Sequence, residues 1–183
     1  SIQPAEVDES QCPGEPATAY VLRLAESKAR ACQAEASTHS AQVVMAADTT
    51  VVDRGTILGK PKDGAEAVEM LRRLRDRTHQ VYTGITVMRL SDGKIGTDLC
   101  VTAVPMRSFS DEEIEAYVAT GDPLDKAGAY GIQHTAFHPV ALMSGCYASV
   151  MGLPLCHLAR TLHQFDIPTE KNISAECQSN LNY

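Results

Sequence analysis

The sequence contains no tryptophan and only three phenylalanines among 183 residues. That scarcity weakens any case for a platform on which nucleic-acid bases stack. Positive charge is also sparse: 16 Lys and Arg face 23 Asp and Glu, leaving a net charge of -7. A chain of that sign has no global attraction for nucleic acid or an anionic membrane, so an anionic ligand needs a few placed cations or a metal. No apolar run reaches the roughly 18–20 residues of a membrane span. No basic-then-apolar leader is visible, and the chain opens at Ser1 rather than Met. No pair among the six cysteines has C-x-x-C spacing, which excludes a zinc ribbon and a thioredoxin motif. The cysteines read as small buried hydrophobes in a reducing compartment. H-E-x-x-H and G-x-S-x-G are absent as well, so a zinc protease helix and a nucleophile elbow have no support.

What is present suits one compact domain. Hydrophobic residues make up 44% and charged residues 21%, which excludes wholesale disorder. A chain of this length buries roughly 70% of the surface its unfolded form exposes, and needs no staple to fold. Ala17, Val21, Leu24 and Ala25 follow helical spacing in a segment running to about Ala36. The run Val43-Val44-Met45-Ala46-Ala47-Asp48-Thr49-Thr50-Val51-Val52 predicts a central strand buried on both faces. A turn follows through Gly55, Gly59 and Pro61, then a helix from Gly64 to Arg75. Strands at about 79–90 and 95–106 flank an Asp92-Gly93 hairpin turn. Ser110 and Glu113 form a capping box for a helix that stops at Gly121. Residues 122–139 read as loop, 140–143 as a further strand, and Pro154 opens the last helix. The predicted class is α/β, a mixed sheet with flanking helices. Residues 1–166 form the domain, and 167–183 a polar C-terminal extension.

Asp48 is the most informative residue. A carboxylate inside an apolar strand is expensive unless paired, hydrogen-bonded or metal-bound. A strand-end Asp capping a turn is the plain alternative, but the run continues through Thr49 to Val52. Lys60, in Gly59-Lys60-Pro61, is not part of a P-loop: Gly55 and Gly59 enclose three residues, and Pro61 follows the lysine. A phosphate contact is one reading of Lys60, a solvated loop lysine the other. Glu9, before the first helix, and Lys28, late in it, read by themselves as charges placed to suit the helix dipole. The stretch from Asp125 through Lys126 to Gln133 holds two glycines and two alanines, which suggests backbone passing close to a neighbour. Gln133 can offer a donor and an acceptor to one edge of a base.

Read together, these stretches resemble the Maf family of nucleotide pyrophosphatases. The resemblance rests on Asp8-Glu9 with Pro13-Gly14-Glu15, Tyr20 to Ala25 with Lys28-Ala29, Ala47-Asp48-Thr49, Leu58-Gly59-Lys60-Pro61, Thr78 to Gly84, Gly121 to Gln133, and Gly152 to Leu155. It implies hydrolysis of a nucleoside triphosphate between the α and β phosphates. It also implies an inosine-triphosphatase-like, two-lobed architecture with a central cleft, and a cytoplasmic homodimer dependent on Mg²⁺ or Mn²⁺. Asp48, Lys60 and Glu9 then take catalytic places, with Asp48 and Glu9 holding the metal. Lys28, Thr49, Gln133 and Lys126 take substrate-binding places, Thr49 and Gln133 being linked to base choice. The Ala-Gly-Ala-Tyr-Gly-Ile-Gln form at 127–133 looks like the branch acting on dTTP and UTP.

Two features depart from the family pattern. Its opening strand and Ser-x-Arg-Arg loop have no match before Asp8-Glu9, a shortfall of about 30 residues on typical element lengths. Either the chain is a fragment of a longer protein or the segment is absent from it; only in the second case is phosphate binding expected to weaken and a buried strand to lose a neighbour. Cys146-Tyr147-Ala148-Ser149 stands where many relatives carry an acidic residue and an Asn. The resemblance also implies a second reading, a catalytically weakened nucleotide-binding regulator of cell division, since members of that family have been associated with septum inhibition.

Overall fold

In a computed structural model, the structure describes residues 2–38 and 42–169. The element order is α1 (Ala17–Ala31), α2 (Gln33–Thr38), β1 (Val43–Asp53), β2 (Thr56–Leu58), α3 (Gly64–Leu74), β3 (Thr78–Arg89), β4 (Ile95–Pro105), α4 (Asp111–Val118), α5 (Tyr147–Val150) and α6 (Leu155–His163). Two short 3₁₀ turns, Asp122–Asp125 and Ala127–Ala129, lie between α4 and α5. The extension expected at 167–183 falls, from residue 170 onward, outside the described residues.

The sheet has the order β2-β1-β3-β4. Every pairing in it is antiparallel, so the expected mixed sheet is corrected while the α/β class with flanking helices holds. The reason is geometric. β2 and β3 run the same way, but they sit on opposite sides of β1 and never form a parallel ladder. The β1–β2 hairpin turns on Arg54 and Gly55, both at positive φ (50° and 79°), as a two-residue hairpin turn requires. Arg-Gly lacks the usual Asn or Asp signal, so β2 was hidden in an expected turn. The Asp92-Gly93 hairpin forms as predicted, with the Gly93 N–H donating to the Arg89 carbonyl at 3.0 Å.

Three further expectations need adjusting. The first helix breaks at Cys32, whose N–H is shared between the Lys28 and Arg30 carbonyls; an apolar period does not register a one-residue interruption. The strand expected at 140–143 reduces to a single bridge between Met106 and Val140. Pro105 and Pro139 lie beside that bridge and have no N–H to extend a ladder. β1 is also less enclosed than predicted. β2 pairs only with Val51–Asp53, so among the described residues Val43–Thr50 has no strand on that side. Met45 is accordingly 53% exposed.

Two hydrophobic clusters hold the elements. The larger joins Val51, Val81 and Val104 of the sheet to Ala67, Leu71 and Leu74 of α3 and Ile114 and Tyr117 of α4. The smaller joins Ala29 of α1 to Val44 and Met88. Asp48 lies between Val44 and Val51 along β1, and so between the two clusters. The approach of α1 to the sheet depends on Gly84 of β3. A Cβ there would meet the Val21 carbonyl oxygen at 2.8 Å, so any side chain would push α1 outward.

Candidate active site

A cleft of about 680 Å³ opens along β1, within the usual range for small-molecule sites. All seven side chains singled out in the sequence line it: Glu9, Lys28, Asp48, Thr49, Lys60, Lys126 and Gln133. They arrive from the N-terminal segment, α1, β1, the loop after β2 and the loop after α4.

Lys28 organises the charged end. Its Nζ donates to Asp48 Oδ1 at 2.6 Å and lies 2.9 Å from Glu9 Oε1. Asp48 is only 8% exposed. Burial pushes its carboxyl above the ordinary range, and Glu9 adds to that; Lys28 and Lys60 oppose it without reversing it. The Lys28 ammonium is itself penalised by burial, but hydrogen bonds to Asp48 and Glu9 outweigh this and raise it. The hydrogen bond from Lys28 holds Glu9 below its usual range. Lys60 is exposed and within electrostatic reach of both carboxylates. Its loop is fixed by the Gly128 N–H, which donates to the Gly59 carbonyl at 3.0 Å.

Glu9 has no helix or strand to hold it. The Tyr20 hydroxyl donates to its carbonyl at 2.8 Å. Arg23 grips Glu15 through two bonds of 2.7 and 2.8 Å and also donates to the Ser10 carbonyl. Tyr20 and Arg23 lie on α1, so the helix that presents Lys28 also anchors the segment presenting Glu9. Their role was not visible in the sequence, where both belong to an ordinary helical pattern.

The loop end is held by neutral groups and local ion pairs. The buried Tyr117 hydroxyl donates to Asp122 Oδ2 at 2.6 Å and accepts from the Gly131 N–H at 2.9 Å. Its ring stacks on Phe137, with centroids 4.3 Å apart. His79 Nε2 and the Tyr130 hydroxyl are 2.8 Å apart in the interior. Gly128, at φ 70°, passes so close to Val51 that a Cβ would lie 2.9 Å from its side chain; the glycines do mark a close backbone approach. Lys126 differs from Lys60: its ammonium is already engaged by the Asp122 carbonyl and by the carboxylates of Asp122 and Asp125. Thr49 bonds Thr83, its partner across the β1–β3 ladder, at 2.9 Å.

The donors suit a hard cation only in part. Among the described residues, no three or more His, Cys, Asp or Glu side chains converge as a metal set. Glu9 and Asp48, the two carboxylates on Lys28, supply oxygen donors that fit a cation completed by phosphate oxygens and water, as Mg²⁺ commonly is.

Comparison with known proteins narrows what such a cleft serves. A family model described as Maf-like protein matches residues 1–165. The dTTP/UTP pyrophosphatase of Dictyoglomus turgidum is 49% identical over 67% of this chain and 64% of its own length. The chain thus spans somewhat less than two thirds of that relative. The dTTP/UTP pyrophosphatases of Anaeromyxobacter sp. (strain Fw109-5) and Moorella thermoacetica are 45% and 46% identical, each over 91% of this chain and over 80% and 84% of their own lengths.

Proposed function

The chain belongs to the Maf-like protein family, and on that footing we propose that it is a nucleoside triphosphate pyrophosphatase. It hydrolyses dTTP and UTP to the monophosphate and pyrophosphate. The observation that carries this reading is the convergence of Asp48, Glu9, Lys28 and Lys60 on the cleft that Thr49 and Gln133 also line. The position of Asp48 along β1 between two separate hydrophobic clusters supports a two-lobed architecture.

A triphosphate carries about four negative charges, and an acidic protein must neutralise them locally. Lys60, exposed and close to the carboxylates, neutralises phosphate oxygens. Hydrogen bonds to Asp48 and Glu9 hold the Lys28 pKa above its ordinary value, and its charge keeps Glu9 and Asp48 from repelling the substrate unopposed. Asp48 takes the proton of the attacking water, and burial makes it a better base than an exposed carboxylate. Glu9 and Asp48 would hold Mg²⁺ or Mn²⁺, which when bound withdraws charge from the phosphates. The loop at 122–133, whose Lys126 is paired with Asp122 and Asp125, receives the base, with Gln133 reading its edge. Family membership also supports a cytoplasmic homodimer. Among the described residues no helix is long and apolar enough to cross a membrane.

Pyrophosphate release from a panel of nucleoside triphosphates, with and without Mg²⁺, tests the reading. Release from dTTP and UTP well above the purine triphosphates, abolished by chelator, is expected. Release of orthophosphate instead, or no release from any triphosphate, overturns it.

A further inference from the structure

The hydroxyl groups behind the cleft form a chain whose proton directions can be counted. The Thr83 hydroxyl lies 2.7 Å from the Ser149 carbonyl oxygen. A carbonyl has no proton, so the only hydroxyl proton of Thr83 lies in that bond. Thr83 therefore cannot donate to Thr49, and the 2.9 Å contact between the two hydroxyls must be a donation from Thr49 to Thr83. The carbonyl end is held in its turn. The Ser149 hydroxyl donates to the Cys146 carbonyl at 2.7 Å and accepts from Thr102 at 2.6 Å. Thr83, Thr102 and Ser149 are all at most 2% exposed, so water cannot reset these directions. Thr49, which lines the cleft, has then committed its proton inward, and only its lone pairs remain for a ligand.

We propose that Thr83 is a positioning residue that fixes the Thr49 hydroxyl as a pure hydrogen-bond acceptor toward the cleft, selecting bases that present an N–H there. Uracil and thymine carry an imide N–H at N3. Cytosine carries a lone pair at the same ring position, and would face the Thr49 lone pairs without a proton between them. An unmatched polar pair of this kind discriminates strongly, because neither side can relax to satisfy it. The inference rests on the pyrimidine triphosphatase reading and adds the device that sets its polarity.

The test compares UTP with CTP, by turnover and by calorimetric binding, in wild type, Thr83→Ser and Thr83→Val. Thr83→Ser keeps the hydroxyl and should keep the wild-type ratio of kcat/KM for UTP over CTP. Thr83→Val frees Thr49 to turn its proton outward, and should reduce that ratio about tenfold. The change should come through KM, with kcat for UTP nearly unchanged. Should the valine variant fail to fold, Thr83→Cys, with its weaker donor, carries the same comparison and should give an intermediate ratio. A wild type that discriminates, with a valine or cysteine variant that discriminates equally well, overturns the positioning role and leaves the pyrophosphatase reading standing. A wild type that neither binds nor hydrolyses UTP overturns both.

Discussion

At one end of the cleft, Asp48, Glu9 and Lys28 come from a strand, an N-terminal segment without helix or strand, and a helix, joined by charge-assisted bonds of 2.6 and 2.9 Å. At the other, residues 122–133 are tied by the Tyr117 hydroxyl, which joins the Asp122 carboxylate to the Gly131 N–H, by the His79–Tyr130 contact, and by ion pairs within the loop. The charged end places like charges in a half-dry site, which perturbs pKa values and suits chemistry. The loop end places backbone and amide groups rigidly at little electrostatic expense, which suits recognition. Damage to the first should appear in kcat, damage to the second in KM.

The largest expected effect is at Asp48. Asp48→Asn keeps the shape of the side chain and removes the base, so kcat should fall by 10²–10⁴, the usual range for general-base catalysis. The melting temperature should hardly change, because the amide oxygen can still accept from Lys28 and Glu9 remains as its counterion. An unaltered rate of pyrophosphate release would sink the role given to Asp48. The pH profile gives the same comparison in wild type. Since the Asp48 pKa is raised, the acid limb of kcat/KM should lie above the ordinary carboxylate range, and Lys28→Met should move it higher still.

Next in size is an effect confined to the loop end. Burial pushes His79 down from 6.5 to about 4, Asp53 opposing and Arg77 assisting. The ring is neutral in the folded protein, whereas the unfolded chain takes up a proton below pH 6.5. The stability tied to the neutral ring is complete above pH 6.5 and is lost as pH falls from 6.5 toward 4, on the order of 3 kcal/mol. His79→Gln keeps a polar group near Tyr130 without titrating, and should flatten denaturation midpoints across that window. Hydrogen exchange should show the wild-type acid loosening at 127–133 before it reaches α1.

The smallest effect is expected at Tyr117. Tyr117→Phe keeps the stacking on Phe137 but removes the hydroxyl joining Asp122 to Gly131. About 1 kcal/mol of stability should be lost, and KM for UTP should rise several-fold while kcat holds. A fall in kcat with unchanged KM would show that the two ends do not divide the work in this way.

How much of this was legible depends on the range of the signal. The Asp92-Gly93 turn, the Ser110 capping box and the apolar faces of α3 are written within a few residues, and the structure has them where they were read. Glu9, Lys28, Asp48, Thr49, Lys60, Lys126 and Gln133, which line the cleft, were also singled out, but mostly because ordered motifs resemble a family. Taken alone, Lys28 and Glu9 are ordinary helix-end charges. Tyr20, Arg23, Thr83, Tyr117 and Ser149 were not found, since each acts through a partner that only the folded chain brings near. The same holds for the wholly antiparallel sheet: local pattern predicts strands, whereas pairing is decided by where α3 returns the chain.

The sequence by itself determined the helix and strand periods, the turns, and the presence of a carboxylate in an apolar strand, because these are properties of neighbouring residues. Only the tertiary structure decided that Lys28 stands between two acids, that Lys126 is engaged within its own loop while Lys60 is not, and that Thr49 points its proton inward. Those are properties of distance and desolvation, which depend on which parts of the chain meet when water is excluded.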